Sequence, residues 1–346
     1  MQAVFKMTDE NKVFYKTLVV LCIPIIIQNL ISTLVNMVDT VMVGSLGEVS
    51  VAAIGIANQY FFLFNMALSG IIGGAGIFMA QFYGKGDKDS IKKITGLSVI
   101  AALVLGIVFF ILAVFFPNLI INFFSHDQLV VKQAREYFLV IGFCYPIMAV
   151  SYIFSMGSRS VRNPRLGMVC SSISLVINIV LNYVFIFGHF GAPALGVKGA
   201  AVATVSARIV EFILLILYVY FIKEDYELKF GIEDIKGITK ELATNVIKKT
   251  TPVFLNDTFW AFGSVLYSVA YATAGTSAMA ASQIASTTGN FFIMTAVCIA
   301  IGSSIMMGNE LGANNIDTAV RYSKKFSVLV TIAGLIFGIL LIIVKK

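Results

Sequence analysis

Long runs of apolar residues, separated by short polar connections, occupy most of this chain of 346 residues. Several runs reach about 18 residues or more and are apolar on every side, so each can cross a hydrocarbon core about 30 Å thick as a helix. They lack the alternation, in segments of about ten residues, that is typical of membrane barrels. We therefore predict an all-α polytopic membrane protein, because a helix satisfies its backbone hydrogen bonds within one segment. About nine spans are predicted, at residues 18–40, 51–80, 94–116, 134–156, 166–188, 197–222, 248–272, 280–306 and 326–344.

Lysine and arginine residues collect in alternate connections. They precede span 1 and follow spans 2, 4, 6 and 8, whereas the connection after span 1, Val41–Ser50, contains none. Because basic loops stay on the cytoplasmic side, this pattern predicts a multi-pass protein of the cell membrane with a cytoplasmic N-terminus. Lys345 and Lys346 would then follow span 9 on the outer side, against the bias. Two interpretations stay open: the chain stops before its architecture is complete, or it is a genuine short variant.

Composition excludes several classes of protein. Hydrophobic residues make up 58% of the chain and charged residues 12%, whereas soluble domains carry about 25% charged residues. The net charge of +7 is spread between apolar runs and forms no basic patch with interleaved aromatics, so we predict no nucleic-acid partner. The four cysteines lie inside apolar runs without CxxC spacing, which argues against disulfide and zinc sites. No nucleotide loop or nucleophile arrangement occurs, so an enzyme or ATP-driven pump is disfavoured.

A partial second copy of the first lobe follows the longest polar connection. When the chain is shifted by 228 residues, the interval between Pro24 and Pro252, identical residues coincide along both stretches. Other coinciding pairs are Gly47 with Gly275, Phe64 with Phe292, Gly74 with Gly302, Met79 with Met307, Gly84 with Gly312 and Asp89 with Asp317. We predict an N-terminal six-helix lobe at 1–222, a cytoplasmic linker at 223–249 and a partial C-terminal lobe of three helices at 250–346. Six intervening spans preserve orientation, so the repeat is parallel, an arrangement that suggests transport by analogy.

Few ionisable or amide side chains lie within the predicted spans. Asp39, near the outer end of span 1, is either a hydrated interfacial carboxylate or an acceptor for a proton or cation. Asn178 and Asn182 are four residues apart in span 5 and project from one helix face, where they either bond between helices or face a cavity. If these spans share a cavity, the three residues and Thr204 would bind a sodium ion or surround a protonating carboxylate.

Further polar residues and two prolines mark spans 6 and 7. Arg208 and Glu211 are three residues apart, which favours a structural ion pair over a substrate contact. Asp257 lies near the inner end of span 7, where cytoplasmic hydration is the alternative to a functional role. Pro24 and Pro252 remove backbone donors, so we predict hinges in spans 1 and 7. The residues that we predict to line a cavity are Asn36, Gln59, Arg208, Glu211 and Gln283.

Six stretches of this sequence resemble the multidrug and toxic compound extrusion (MATE) transporters. In chain order they close span 1, follow span 2, precede span 5, enter span 6, lie in span 7 and enter span 8. These stretches are Val38–Gly44, Gln81–Asp87, Arg162–Pro164, Leu195–Thr204, Asn256–Trp260 with Pro252, and Gly275–Thr276 with Ala280–Ala281. The similarity covers nearly the whole chain, and the order and spacing of the motifs make it specific.

The resemblance implies a two-lobe fold of twelve helices, of which this chain lacks the last three. It implies that Asp39 is the coupling residue and binds sodium or a proton, with Asn178 and Asn182 beside it. Asp257 would be the acidic residue of the second lobe. Some family members have aspartate at the position of Asn182, so this chain departs from a site with two carboxylates.

The resulting functional hypothesis is a secondary active multidrug exporter. It would antiport organic, often cationic, amphipathic compounds against sodium ions or protons, with no cofactor besides the coupling ion. Its expected partners are small-molecule drugs or organic cations and membrane lipid, and we expect a monomer. The alternatives are a lipid-linked oligosaccharide flippase of the same superfamily and a truncated membrane fragment that does not transport.

Overall fold

A computed structural model describes residues 9–273 and 296–344, and every regular element within these ranges is helical. The helices are α1 (Asp9–Gly44), α2 (Glu48–Lys85), α3 (Lys88–Phe115), α4 (Pro117–Phe124), α5 (Gln128–Ile141), α6 (Cys144–Ser160), α7 (Arg165–Phe187), α8 (Val197–Leu217), α9 (Ile232–Lys236), α10 (Lys240–Thr273), α11 (Ala296–Gly312) and α12 (Ile316–Val344). A π-helical turn, Tyr218–Ile222, extends α8. This architecture confirms the all-α class.

Five of the described helices are long and apolar enough to cross a membrane: α1, α2, α3, α7 and α8 with its extension. The pair α5 and α6 adds a sixth if it is taken as one span bent by 49°, and the predicted span 134–156 falls on this pair. The helices run past several predicted boundaries, as α2 does over the predicted span 51–80, because polar residues continue the helix beyond the apolar run. The count of nine stays a prediction, since much of the predicted span 280–306 lies outside the described residues.

Local capping fixes where several helices begin and end. The Asp87 carboxylate accepts a hydrogen bond from the Ser90 backbone N–H at 3.0 Å and so begins α3. Asp127 caps α5 in the same way, accepting from the Leu129 N–H at 2.8 Å. Gly86 ends α2 with a φ of 76°, a left-handed conformation that residues with a Cβ rarely adopt. These caps keep the connections between spans short.

The N-terminal lobe is a bundle built around α2. This helix packs against α3, α5 and α6, while α1 packs on α7, α7 on α8, and α8 on α5 and α6. An aromatic cluster joins Tyr60 and Phe64 of α2 to Phe109 of α3 and Tyr145 of α6, with ring centroids 5.0–5.4 Å apart between the helices. The Tyr60 hydroxyl donates to the Phe109 carbonyl at 2.9 Å, so its polar end is satisfied within the cluster. This core leaves α1, α7 and α8 side by side.

The two lobes meet through a contact that repeats itself under the 228-residue shift. A Cβ added at Gly84 of α2 would lie 1.9 Å from the backbone oxygen of Asn309 in α11. A Cβ added at Gly312 of α11 would lie 1.8 Å from the backbone oxygen of Gln81 in α2. The shift converts one contact into the other, because it maps Gln81 onto Asn309 and Gly84 onto Gly312. Such a reciprocal contact is the signature of a two-fold relation, here an internal one.

Two further contacts join the lobes. The first is that of α10 with α2, where Gly74 admits Thr250 so closely that an added Cβ would lie 2.2 Å from its hydroxyl oxygen. In the second, α1 packs against α11 and α12 through a small apolar cluster. Its members are Phe14, Leu21, Ile305, Met306, Tyr322 and Phe326. The helix α1 therefore contacts α7 in one lobe and α12 in the other.

Candidate functional site

Asp39 of α1 faces two helices that follow it by more than a hundred residues. Its Oδ1 accepts a hydrogen bond from Nδ2 of Asn182 in α7, and its Oδ2 accepts one from Oγ1 of Thr204 in α8 at 3.3 Å. Asn182 Nδ2 also donates to Oδ1 of Asn178 at 3.2 Å, and Asn178 Nδ2 donates to Thr204 Oγ1 at 3.3 Å. The four side chains therefore form a closed ring of contacts.

The loop between α7 and α8 sets the position of this ring. The backbone N–H of Leu195 donates to the Phe185 carbonyl at 2.9 Å, and that of Gly196 donates to the Ile186 carbonyl at 3.3 Å. At Gly199, an added Cβ would lie 2.3 Å from the Phe185 carbonyl oxygen, so α8 starts in direct contact with the end of α7. Because α8 starts so close to α7, the Thr204 hydroxyl of α8 lies alongside the Asn178 and Asn182 amides of α7.

The ring is buried, and its carboxylate is not in contact with a basic group in the described part of the chain. Asp39 is 7% exposed, Asn178 1% and Asn182 0%. Across residues 9–273 and 296–344, the structure shows no basic group within 4.0 Å of the Asp39 carboxylate. Arg208 lines the same cavity, but it is paired with Glu211 at 2.6 Å. With ordinary charges, Asp39, Arg208 and Glu211 together carry one net negative charge.

One amide oxygen of the ring has no hydrogen-bond partner. Asn182 turns its nitrogen toward Asp39 and Asn178, which leaves its Oδ1 buried and unbonded. A buried polar atom without a partner is destabilising, so this oxygen is an acceptor that a ligand or a rotated amide could satisfy. Together with the carboxylate, the Asn178 amide and the Thr204 hydroxyl, it completes a set of oxygens suited to a hard cation.

The cavity beside the ring has a volume of about 40 Å³. It is lined from α1, α2, α5, α6 and α8, and its lining includes the polar residues Asp39, Asn58, Tyr137, Tyr145, Thr204 and Arg208. A water molecule takes about 30 Å³ in the liquid, whereas pockets for drug-sized ligands span about 300–1,000 Å³. This cavity can therefore hold water or a small ion but not an organic substrate.

A second buried network continues from Glu211. The Ser171 hydroxyl donates to Glu211 at 2.6 Å. The Nε2 of Gln28 donates to the hydroxyl oxygens of Ser171 at 3.2 Å and Ser155 at 3.0 Å. The Gln28 oxygen accepts from Arg159. Our sequence reasoning missed this network. Its signal was present, since Gln28 precedes Asp39 by eleven residues, about three helical turns, and so lies on the same face of α1.

Other predicted site residues lie elsewhere. Asp257 of α10 accepts a hydrogen bond from the Ser69 hydroxyl of α2 at 2.7 Å, at the contact between the lobes. Gln59 is half-buried on α2 but does not line the cavity, whereas its neighbour Asn58 does. Gln283 and the side chain of Asn36 lie outside the described part of the chain.

The predicted hinges fall inside continuous helices. Pro24 lies within α1 and Pro252 within α10. In α1, this proline separates the part that contacts α12, around Phe14, from the part that carries Gln28 and Asp39. A bend at this position would therefore change the relation between the ring and the other lobe.

Comparisons with known proteins identify relatives of this chain. Relatives include the probable multidrug resistance protein NorM of Thermotoga maritima, 27% identical over 89% of this chain and 65% of its own length. The multidrug resistance protein MdtK of Photorhabdus laumondii is 29% identical over 94% of this chain and 70% of its own length. The chain thus spans about two thirds of the length of these relatives.

Solved structures show the same fold. An outward-facing multidrug resistance MATE family transporter of the MOP superfamily matches with a TM-score of 0.82 and 21% identity, over 94% of this chain and 71% of the other. A MOP superfamily transporter of Pyrococcus furiosus, described as having reverse polarity of the binding pocket, matches with a TM-score of 0.81 and 22% identity, over 93% and 71%. The MatE family model covers residues 24–184 and 252–346, more than half of the sequence. This integral membrane protein therefore belongs to the MATE family.

Proposed function

We propose that the protein is a secondary active multidrug exporter that antiports organic, often cationic, amphipathic compounds against sodium ions or protons. The observation that carries this proposal is the buried Asp39 carboxylate, which has no counter-charge of its own. A charge buried within the membrane is costly unless it is paired or neutralised. Uptake of a proton or a sodium ion removes that cost, and its release restores it, so the ion changes the free energy of the lobe.

The ring around Asp39 suits either ion by a different arrangement. For sodium, rotation of the Asn182 amide by half a turn would replace its N–H by the unbonded Oδ1 and would remove a donor from the carboxylate. The Asn178 oxygen and the Thr204 hydroxyl then complete a set of oxygens. For a proton, the Asp39 carboxylate itself binds it and becomes neutral. The Thr204 hydroxyl then accepts a hydrogen bond from the carboxyl instead of donating one.

The substrate must bind elsewhere, because the cavity beside Asp39 is too small for it. Coupling therefore requires a helix that contacts both the ring and the second lobe, and α1 meets this requirement. The second half of α1 carries Asp39. Its first half packs through Phe14 on Tyr322 and Phe326 of α12. Ion binding that moves α1 would change the stability of one arrangement of the lobes relative to another. By linkage, substrate binding would then change ion affinity by the same factor.

Ion binding can be tested on the purified chain in nanodiscs, because the whole ring lies in the N-terminal lobe. The thermal midpoint is measured in sodium and in potassium at equal ionic strength. A site occupied by sodium at a hundredfold excess over Kd would stabilise the protein by about 2.7 kcal/mol. We expect Asp39→Asn to lose the response and Asp89→Asn, an exposed carboxylate on α3, to keep it. If a proton is the coupling ion, the thermal midpoint of the wild type, like that of Asp39→Asn, does not respond to sodium.

Transport is tested in vesicles with a cationic dye and an imposed sodium or pH gradient. The proposal predicts that efflux by the wild type depends on one of the two gradients. The control variant Asp89→Asn should show the same efflux, and Asp39→Asn should show none. Undiminished, gradient-dependent efflux by Asp39→Asn would refute the assignment of the coupling residue. Translocation of a lipid-linked oligosaccharide without dye efflux would instead support the flippase alternative.

A further inference from the structure

A groove of about 270 Å³ lies between α2, α3 and α10, outside the site described above. Its lining is mainly apolar, and its polar members are three hydroxyl residues, Ser98, Thr250 and Thr251. The lining residue Ile247 is 57% exposed, so the groove opens on the surface of the helix bundle. We propose that it binds an anionic phospholipid, with an acyl chain in the groove and the headgroup at Lys93 and Lys249. This inference does not depend on the transport proposal.

The internal repeat explains why a groove is present. The 228-residue shift maps α3 and α10 onto α12 and α1, whose contact is filled by aromatic side chains. Ser98 corresponds to Phe326, which is 4% exposed and packs against Phe14 with ring centroids 5.1 Å apart. The serine side chain is much smaller than the phenyl ring, so the equivalent contact between α3 and α10 is left incomplete. A ligand can supply the missing apolar volume.

The polar groups of the groove indicate what kind of apolar ligand fits. The Thr250 hydroxyl is buried without a hydrogen-bond partner, whereas that of Thr251 donates to the Ile247 carbonyl at 2.7 Å. Ser98 adds a second hydroxyl and is 3% exposed. A buried hydroxyl in an apolar wall is stabilised by a ligand that carries an acceptor. A phospholipid meets both requirements, because its ester carbonyls adjoin its acyl chains.

Basic residues lie at one end of the groove. Lys93 precedes the lining residue Leu97 by one helical turn on α3, and Lys249 adjoins the lining residue Thr250 on α10. The ammonium of Lys249 lies 5.4 Å from the centroid of the Phe78 ring. Within the described ranges, neither lysine has a carboxylate within 4.0 Å. Basic pockets between membrane helices bind anionic headgroups, so the charge complements a phosphate rather than a neutral lipid.

The test measures retention of phosphatidylglycerol and phosphatidylcholine with identical acyl chains, by native mass spectrometry of the purified chain. We expect the wild type to retain phosphatidylglycerol preferentially. Ser98→Phe, which copies the residue at the equivalent position, should abolish this retention. Lys93→Gln with Lys249→Gln should reduce the preference by about fivefold for each lysine, while binding of the neutral lipid persists.

Matched controls separate the groove from general lipid contact. Ile100→Phe places the same ring on a 41% exposed position of α3 outside the lining, and Lys132→Gln removes a lysine far along the chain. Both should retain the lipid as the wild type does. If Ser98→Phe does not fold, Thr250→Val tests the same groove by removing only the unpartnered hydroxyl. Equal retention of the two lipids by the wild type, or equal loss in Ser98→Phe and Ile100→Phe, would overturn the proposal.

Discussion

The reciprocal contact between α2 and α11 can be broken by a single methyl group. In Gly84→Ala the new Cβ would lie 1.9 Å from the backbone oxygen of Asn309, and real Cβ contacts are essentially never closer than 3.0 Å. The two helices must therefore separate by about 1.1 Å along this line, because the obstructing atom is backbone and cannot change rotamer. Overpacking of this kind costs about 1–3 kcal/mol. If the lobes have another arrangement without the clash, its population relative to this one rises by about 5- to 150-fold.

The distance between the lobes reports this change directly. Spin labels are placed at Lys92 of α3 and Val320 of α12, which correspond under the internal repeat and belong one to each lobe. Double electron–electron resonance in nanodiscs measures the distance between the two labels. In Gly84→Ala it should show a smaller population at the distance found in the wild type. Gly312→Ala should have the same effect, since its Cβ would lie 1.8 Å from the Gln81 carbonyl oxygen.

Gly55→Ala provides the control on the same helix. A Cβ at Gly55 has no neighbour within 4 Å, so this substitution changes only helix propensity, by up to about 1 kcal/mol in favour of the helix. We expect its distance distribution to match that of the wild type. If Gly84→Ala also matched it, the backbone contact would not hold the lobes together, and our account of their interface would be wrong.

Two further predictions concern charged residues of the N-terminal lobe. Glu211→Gln leaves Arg208 buried without its partner and should lower the free energy of unfolding by about 3–5 kcal/mol. The exposed control Glu224→Gln should leave it unchanged. An unchanged thermal midpoint in Glu211→Gln would contradict this prediction. Burial raises the pKa of Asp87, but hydrogen bonds from the backbone and hydroxyl of Ser90, together with the charges of Lys85 and Lys93, outweigh it, so the pKa lies below its usual value. Its stabilisation is therefore present above the ordinary pKa of about 3.9 and is lost as the pH falls through the folded-state pKa. Asp87→Ala should cost about 0.5–2 kcal/mol at neutral pH, and unfolding at a series of pH values should show its deficit shrinking below about pH 4; a deficit independent of pH would rule out the charged cap.

The membrane-spanning helices and the family could be predicted because their signals are local or ordered along the chain. An apolar run long enough to cross a bilayer must be helical, since no water is available to satisfy its backbone. The spacing of Asn178 and Asn182 likewise fixes one shared face whatever the helix packs against, and that of Arg208 and Glu211 allows an ion pair. The order and spacing of the motifs predicted the MATE family, which the family model confirms, and the solved structures show the same fold.

The sequence by itself thus determined that the chain is helical and crosses a membrane, and which polar residues share a face. It also predicted a repeat between the two parts of the chain. The tertiary structure decided that α1 lies against α7 and α8, so that Asp39 meets Asn182 and Thr204, and that Gln28 belongs to a second network. It also decided that Ser98 leaves a groove where its counterpart fills the space. The physical reason is that helices in lipid associate through the fit of small and polar side chains rather than through hydrophobicity. That fit depends on residues far apart in the chain, and no periodicity within one helix encodes it.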